Sequence, residues 1–212
     1  MKLAKLTCIL ALASSVVTSR PLAGTMTRAD EVVALVPAYF YPTWWAGSPW
    51  DRLNAAAARI PIEAIMNPAS GPGTAVNPDY QVAVGQLHAA GGKVIGYVPT
   101  GYGSRPADEI LADVSDYVEW YGVDGIFLDE MGNQSGALDY AALYANIKGL
   151  AARAGIGLHV VGNPGEPFAD AEAFIAAADT LVLFEGPYAN ADPSSASFLS
   201  YPNKGPYAGL TP

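Results

Sequence analysis

The chain has 212 residues, 51% of them hydrophobic and 15% charged, and a formal net charge of −9. This composition can bury a core of about one domain, which excludes a disordered chain. The acidic balance argues against nucleic acid or an anionic membrane surface as a partner, because both require basic residues facing phosphate, and it suits a neutral or cationic ligand.

The N-terminus has the pattern of a secretory signal peptide. Lys2 and Lys5 precede an apolar segment over residues 6–17, which is too short to span a bilayer and is followed by small and polar residues. We therefore expect residues 1–24 to be a signal and residues 25–212 to form a single domain. The protein would be secreted, extracellular or attached to a cell wall, with no membrane association once the signal is removed.

Residues able to support thiol or imidazole chemistry are scarce. The single cysteine, Cys8, lies within the predicted signal. His88 falls in a helical pattern and His159 inside a strand, so neither is placed as a catalytic base. Few residues are therefore available to form a zinc site or a Ser-His-Asp triad. We expect no cofactor and no disulfide.

Along the chain, apolar stretches alternate with helical patterns at a steady interval. Strands are predicted over residues 32–39, 62–66, 93–98, 123–131, 157–161 and 180–184. Helices are predicted over residues 50–59, 78–90, 106–121, 138–154 and 168–178, several of them closed by glycine.

Six strand–helix units in sequence indicate a parallel α/β sheet, and their regular spacing favours a (β/α)₈ barrel of the TIM type over a doubly wound sheet. No Gly-x-Gly-x-x-Gly pattern follows the first strand, which weakens a dinucleotide-binding alternative. The residues after Tyr188 are rich in proline and serine and show no convincing strand. We expect a barrel that is short at its C-terminus by two units; the alternative is a second chain covering the open edge.

Polar residues gather at the strand ends. In a βα barrel the loops after all strands lie on one face, so these side chains should converge. They are Tyr39, Tyr41, Asn67, Tyr97, Tyr102, Arg105, Asp129, Glu130, Asn163, Glu185 and Tyr188. Carboxylates surrounded by amides and aromatic rings are what glycoside hydrolysis needs. One carboxyl protonates the leaving oxygen, and another attacks or stabilises the oxocarbenium-like centre.

Asp129, Glu130 and Glu185 are the candidate catalytic acids, and the remaining amides, phenols and arginine are candidate substrate contacts. The acidic pair could instead cap a helix, join a salt-bridged loop, or hold Mg²⁺ or Ca²⁺. Glu185 could simply pair with Arg105 or Lys204, while Tyr39 and Tyr97 could be barrel filling. Asp124 is expected to cap or brace the turn before its strand and is left out of the site.

Four motifs in order resemble the spherulin-4 family, over about residues 32–188. They are Val36–Pro42, Ile65–Gly73, Gly96–Gly103 and Asp124–Glu130. The resemblance implies a (β/α)₈ glycoside hydrolase that cleaves galactosaminogalactan at α-1,4-linked N-acetylgalactosamine. It also implies that an adjacent Asp-Glu pair and a later Glu act in catalysis, and these match the three candidate acids. Family members usually continue through two further strands.

Three functions follow from these observations. The first is a secreted, endo-acting glycosidase on an amino-sugar polysaccharide, most specifically on galactosaminogalactan. The alternative is a non-catalytic wall or spore-coat protein that binds glycan through the same cleft. A third is a metal-dependent hydrolase that acts on another ester. The expected partner is a polysaccharide, and the oligomeric state is left open.

Overall fold

The computed structural model describes residues 5–7, 32–132, 138–164 and 174–182. In chain order the strands are β1 Lys5–Thr7, β2 Ala34–Ala38, β3 Ile62–Met66, β4 Lys93–Pro99, β5 Gly125–Asp129, β6 His159–Gly162 and β7 Thr180–Val182. The helices are α1 Pro49–Ala57, α2 Pro78–Ala89, α3 Ala107–Tyr121 and α4 Tyr140–Ala154, with a 3₁₀ turn at Gly101–Gly103.

The strands form one parallel sheet in the order β1-β7-β6-β5-β4-β3-β2. Strands β2 to β7 make a curled half-barrel with helices on its outer face. The predicted α/β class and parallel sheet are therefore confirmed, whereas a closed eight-stranded barrel stays a prediction. Strand β1 falls inside the segment predicted to be a signal peptide, and that assignment stays a prediction too.

Local sequence signals set the helix ends. The Asn77 side chain accepts a hydrogen bond from the backbone N–H of Asp79 and so caps α2, as predicted. Gly122 and Gly155 adopt left-handed conformations that end α3 and α4. Most of the predicted helix over 168–178 lies outside the described residues. No helix in the described ranges is long and apolar enough to cross a bilayer.

The sheet is buried on both faces. On the outer face, Ile126 and Leu128 pack among the helices, where Tyr117 and Ile147 are fully buried. The inner face carries a second apolar cluster of Leu35, Ile65, Ile95, Phe127, Val161 and Val182, with Tyr97 packed against it. Burying each such aliphatic or aromatic side chain contributes about 1.5–3 kcal/mol, so both faces stabilise the curled sheet.

Both histidines have structural partners away from the carboxyl ends of the strands. His159 lies 2.9 Å from Glu63 through Nδ1 and 2.9 Å from the Thr180 hydroxyl through Nε2, so it links three strands inside the half-barrel. His88 contacts Asp124, which also accepts a hydrogen bond from the Val94 N–H over 2.8 Å. Asp124 thus braces the start of β5, as predicted.

Candidate active site

The carboxyl ends of the strands bring five polar residues to one edge of the sheet. Tyr39 follows β2, Asn67 follows β3, Thr100 follows β4, Asp129 ends β5 and Asn163 follows β6. Because all the strands run parallel, their carboxyl ends all lie at this edge of the sheet. The parallel topology thus brings the loops after β2 to β6 to this edge of the sheet.

The Asp129 carboxylate has two neighbouring donors. Asn163, which is buried, donates from Nδ2 to Oδ1 of Asp129 over 2.8 Å. The Tyr97 hydroxyl also interacts with the Asp129 carboxylate. Burial, this interaction and the nearby negative charges of Asp129 and Glu130 raise the pKa of Tyr97. The phenol therefore stays protonated.

Three aromatic rings pack against one another beside this carboxylate. The Tyr97 ring stacks on Phe127, with ring centroids 6.2 Å apart, and Tyr39 meets Tyr97 edge-on at 5.6 Å. Tyr39 is 50% exposed, so part of its ring faces solvent at the mouth of the site. Partly exposed aromatic rings next to hydrogen-bonding groups suit a ligand that has both apolar faces and hydroxyls.

The backbone turns sharply at Glu130, whose φ is +54°. A side chain other than glycine in this left-handed region costs of the order of 1–3 kcal/mol and persists only where the surroundings enforce it. Because β5 ends at Asp129, Glu130 lies just beyond the strand, at its carboxyl end.

A buried threonine holds the backbone of the acidic pair. The Thr100 hydroxyl lies 3.0 Å from the carbonyl oxygen of Asp129 and 2.7 Å from that of Glu130. It also lies 3.0 Å from the Tyr140 hydroxyl, which accepts a hydrogen bond from the Gly132 N–H over 2.8 Å. Sequence reasoning did not identify Thr100 or Tyr140 as part of the site. The one available signal was that Thr100 directly follows a buried strand.

Two predicted substrate contacts are hydrogen-bonded or ion-paired to nearby parts of the protein. The Arg105 guanidinium lies 2.7 Å from an Asp113 carboxylate oxygen and donates to the Pro99 carbonyl over 3.1 Å. Oδ1 of Asn67 accepts the Gly71 N–H over 3.1 Å. Both side chains thus brace the loops that follow β3 and β4.

Two further predicted substrate contacts, Tyr41 and Tyr102, differ in their surroundings. Tyr41 donates to the Asp79 carboxylate over 2.5 Å and accepts from the Asn77 amide over 3.3 Å, so it sits against the start of α2. Tyr102 is 68% exposed, has a φ of +54° and donates its backbone N–H to the Glu130 carbonyl over 2.7 Å. Tyr102 is therefore presented to solvent beside the acidic pair.

Glu185 and Tyr188 lie outside the described residues, and their roles in the site stay predictions. Within the ranges that the structure describes, no three His, Cys, Asp or Glu side chains gather as a metal-binding group.

The chain is similar in sequence to one protein family and similar in structure to a protein of known structure. The family model of spherulation-specific family 4 matches residues 33–207. Spherulin-4 of Physarum polycephalum is 34% identical over 180 residues, which cover 82% of this chain and 51% of that protein. Sph3 of Aspergillus clavatus, solved in complex with GalNAc, superposes with a TM-score of 0.61 and 28% identity, covering 73% of this chain and 66% of Sph3. The chain spans about half of Spherulin-4 and about two thirds of Sph3. It belongs to spherulation-specific family 4.

Proposed function

We propose that the protein is a secreted, endo-acting glycoside hydrolase that cleaves an amino-sugar polysaccharide. Most specifically, we propose that it cleaves galactosaminogalactan at α-1,4-linked N-acetylgalactosamine. The observation that carries it is the Asp129 carboxylate, oriented by Asn163 and Tyr97 at the sheet edge, beside the half-exposed ring of Tyr39. The similarity to Sph3, whose structure contains GalNAc, supports an amino sugar as the substrate unit.

The geometry suits Asp129 to act in glycoside cleavage as the nucleophile or as the group that stabilises the oxocarbenium-like centre. The hydrogen bond from Asn163 and the neighbouring phenol of Tyr97 orient its carboxylate, as a nucleophile or a group stabilising an oxocarbenium-like centre requires. The proton for the leaving oxygen must then come from a second carboxyl group. Glu130 and Glu185 are the candidates for that acid, and the separation of the two carboxyl groups sets whether the anomeric configuration is retained or inverted.

The proposal includes a closed (β/α)₈ barrel in the active protein. The described strands supply a half-barrel with the acidic pair at the carboxyl end of β5, near the middle of the sheet. Further strands would complete the wall opposite Tyr39 and Asp129 and make the open edge a cleft that can hold a polymer.

The test is the release of new reducing ends from purified galactosaminogalactan, with chitin and starch as comparison polymers. The proposal predicts release from the amino-galactose polymer at a rate well above that from the other two. Tight binding of the polymer without new reducing ends would contradict hydrolysis and favour a glycan-binding protein. Loss of activity with a chelator would contradict a mechanism carried by carboxylates alone.

A further inference from the structure

We propose that Thr100 and Tyr140 are positioning residues that hold the Asp129–Glu130 turn in its left-handed form. They would touch no substrate and act through the backbone of the two acids. The catalytic consequence of this inference rests on the function proposed above, whereas its structural part stands on the hydrogen bonds alone.

The first link is the Thr100 side chain. Thr100 is fully buried and begins the 3₁₀ turn after β4, where its hydroxyl makes no capping hydrogen bond. The hydroxyl instead reaches across to β5 and lies within 3.0 Å of the carbonyl oxygens of both Asp129 and Glu130. A hydroxyl has one proton, which Thr100 shares between these two acceptors. Thr100 therefore binds the peptide groups on both sides of the Glu130 α-carbon.

The second link is Tyr140, in the first turn of α4. Because the Thr100 proton is directed at the carbonyls, the Tyr140 hydroxyl must be the donor in its 3.0 Å contact with Thr100. The same phenolic oxygen accepts the Gly132 N–H over 2.8 Å. Tyr140 thus orients the Thr100 hydroxyl and anchors the chain two residues beyond Glu130.

Neighbouring backbone contacts complete the restraint. The Glu130 carbonyl also accepts the Tyr102 N–H, and the Met131 N–H donates to the Asn163 carbonyl over 3.1 Å. A side chain at Gly132 would collide with the Tyr102 backbone. The turn is therefore enclosed by the β4 loop, the β6 loop and α4, which is how a strained backbone conformation is kept.

Removing the Thr100 hydroxyl should release the turn. Glu130 could then move to a negative φ, which would redirect its carboxyl group and shift the backbone of Asp129. Misplacing a catalytic group by about 1 Å can cost about 100-fold in rate. Substrate binding through the aromatic rings would be little changed, so kcat should fall while KM is nearly constant.

The experiment compares Thr100→Val, Thr100→Ser and Tyr140→Phe with two matched controls. Thr180→Val removes a buried threonine hydroxyl that contacts His159, and Tyr144→Phe removes a phenol on the same helix that contacts Asp179. We expect Thr100→Val to lower kcat by about 10–100-fold with KM within about twofold, and Thr100→Ser to restore most of kcat. Tyr140→Phe should show a smaller loss of kcat, and both controls should retain kcat even where their melting temperatures fall.

Crystal structures of the same variants separate this inference from the proposed function. We expect Glu130 to leave the left-handed region in Thr100→Val and to keep it in Thr100→Ser. The inference is overturned if Glu130 keeps its conformation in Thr100→Val, or if Thr100→Val and Thr180→Val lose kcat equally. If Thr100→Val does not fold, Tyr140→Phe, which removes one oxygen atom, decides in its place. A wild-type protein that cleaves no polymer would reject the proposed function, and the conformation of Glu130 would still decide the positioning claim.

Discussion

Asn163 donates a hydrogen bond to the Asp129 carboxylate over 2.8 Å and so joins the ends of β5 and β6. The backbones are joined at the same point, because the Asn163 N–H donates to the Leu128 carbonyl over 2.8 Å. Asn163 is 5% exposed, so its amide is fixed in place before any ligand arrives. A buried amide that donates to a carboxylate is a means of orienting that carboxylate for chemistry.

The Asn163–Asp129 contact predicts that an acidic residue in place of Asn163 would change how activity depends on pH. Asn163→Asp would place a second carboxyl group against Asp129, and two like charges at this distance favour a shared proton. We expect the acidic limb of the kcat/KM profile to move to higher pH. Asn146→Asp, which adds the same charge on an exposed face of α4, is the matched control. An acidic limb at the same pH in both variants would contradict the role given to Asn163.

Gly132 lies where the chain leaves the acidic pair, and a methyl group there would meet the Tyr102 carbonyl. Gly132→Ala should therefore force the two loops apart, at a cost of about 1–3 kcal/mol in the free energy of unfolding. Gly157→Ala is the control, because a side chain at Gly157 would contact nothing within 4 Å. Denaturant unfolding of the two variants, followed by the reducing-end assay, measures both effects. Equal stability and activity in the two variants would show that the close approach at Gly132 does not constrain the turn.

The Asp179 carboxyl group should make the stability of the fold depend on pH. This effect is separate from any effect of pH on activity. Burial alone would raise the pKa of this carboxyl, but hydrogen bonds from Lys148, Tyr144 and the Val160 N–H outweigh it and lower the pKa below its ordinary value. A carboxyl with a lowered folded-state pKa stabilises the fold above its unfolded pKa, and that contribution is lost as pH falls through the folded pKa. The melting temperature of the wild type should exceed that of Asp179→Asn most clearly above about pH 5, with a gap that shrinks below about pH 4. A gap that is constant down to about pH 3 would assign the stabilisation to hydrogen-bond geometry rather than to charge.

Much of the fold could be predicted because its signals are local. Buried strands flanked by glycine, the Asn77 cap and the glycine stops fix where elements begin and end. Parallel topology then brings strand ends to one edge, so the approximate location of Asp129 and Asn163 follows from their positions in the chain. This reasoning needs only periodicity and the geometry of βα units.

The rest depends on contacts between distant residues. The left-handed turn at Glu130 could not be predicted, because the groups that contact its carbonyl oxygen, Thr100 and Tyr102, come from the neighbouring loop. The pairing of Arg105 with Asp113 depends on how α3 packs against the β4 loop. Tyr140 is 40 residues from the threonine that it contacts, and no sequence pattern links the two.

The most direct test of the central claim is a comparison of the wild type with Asp129→Asn in the release of reducing ends from galactosaminogalactan. Asp108→Asn, which changes an exposed carboxylate in the first turn of α3, serves as the matched control. We predict that Asp129→Asn loses about 100–10,000-fold in kcat while still binding the polymer, and that Asp108→Asn behaves as the wild type. Release of reducing ends by Asp129→Asn at the wild-type rate would contradict the account.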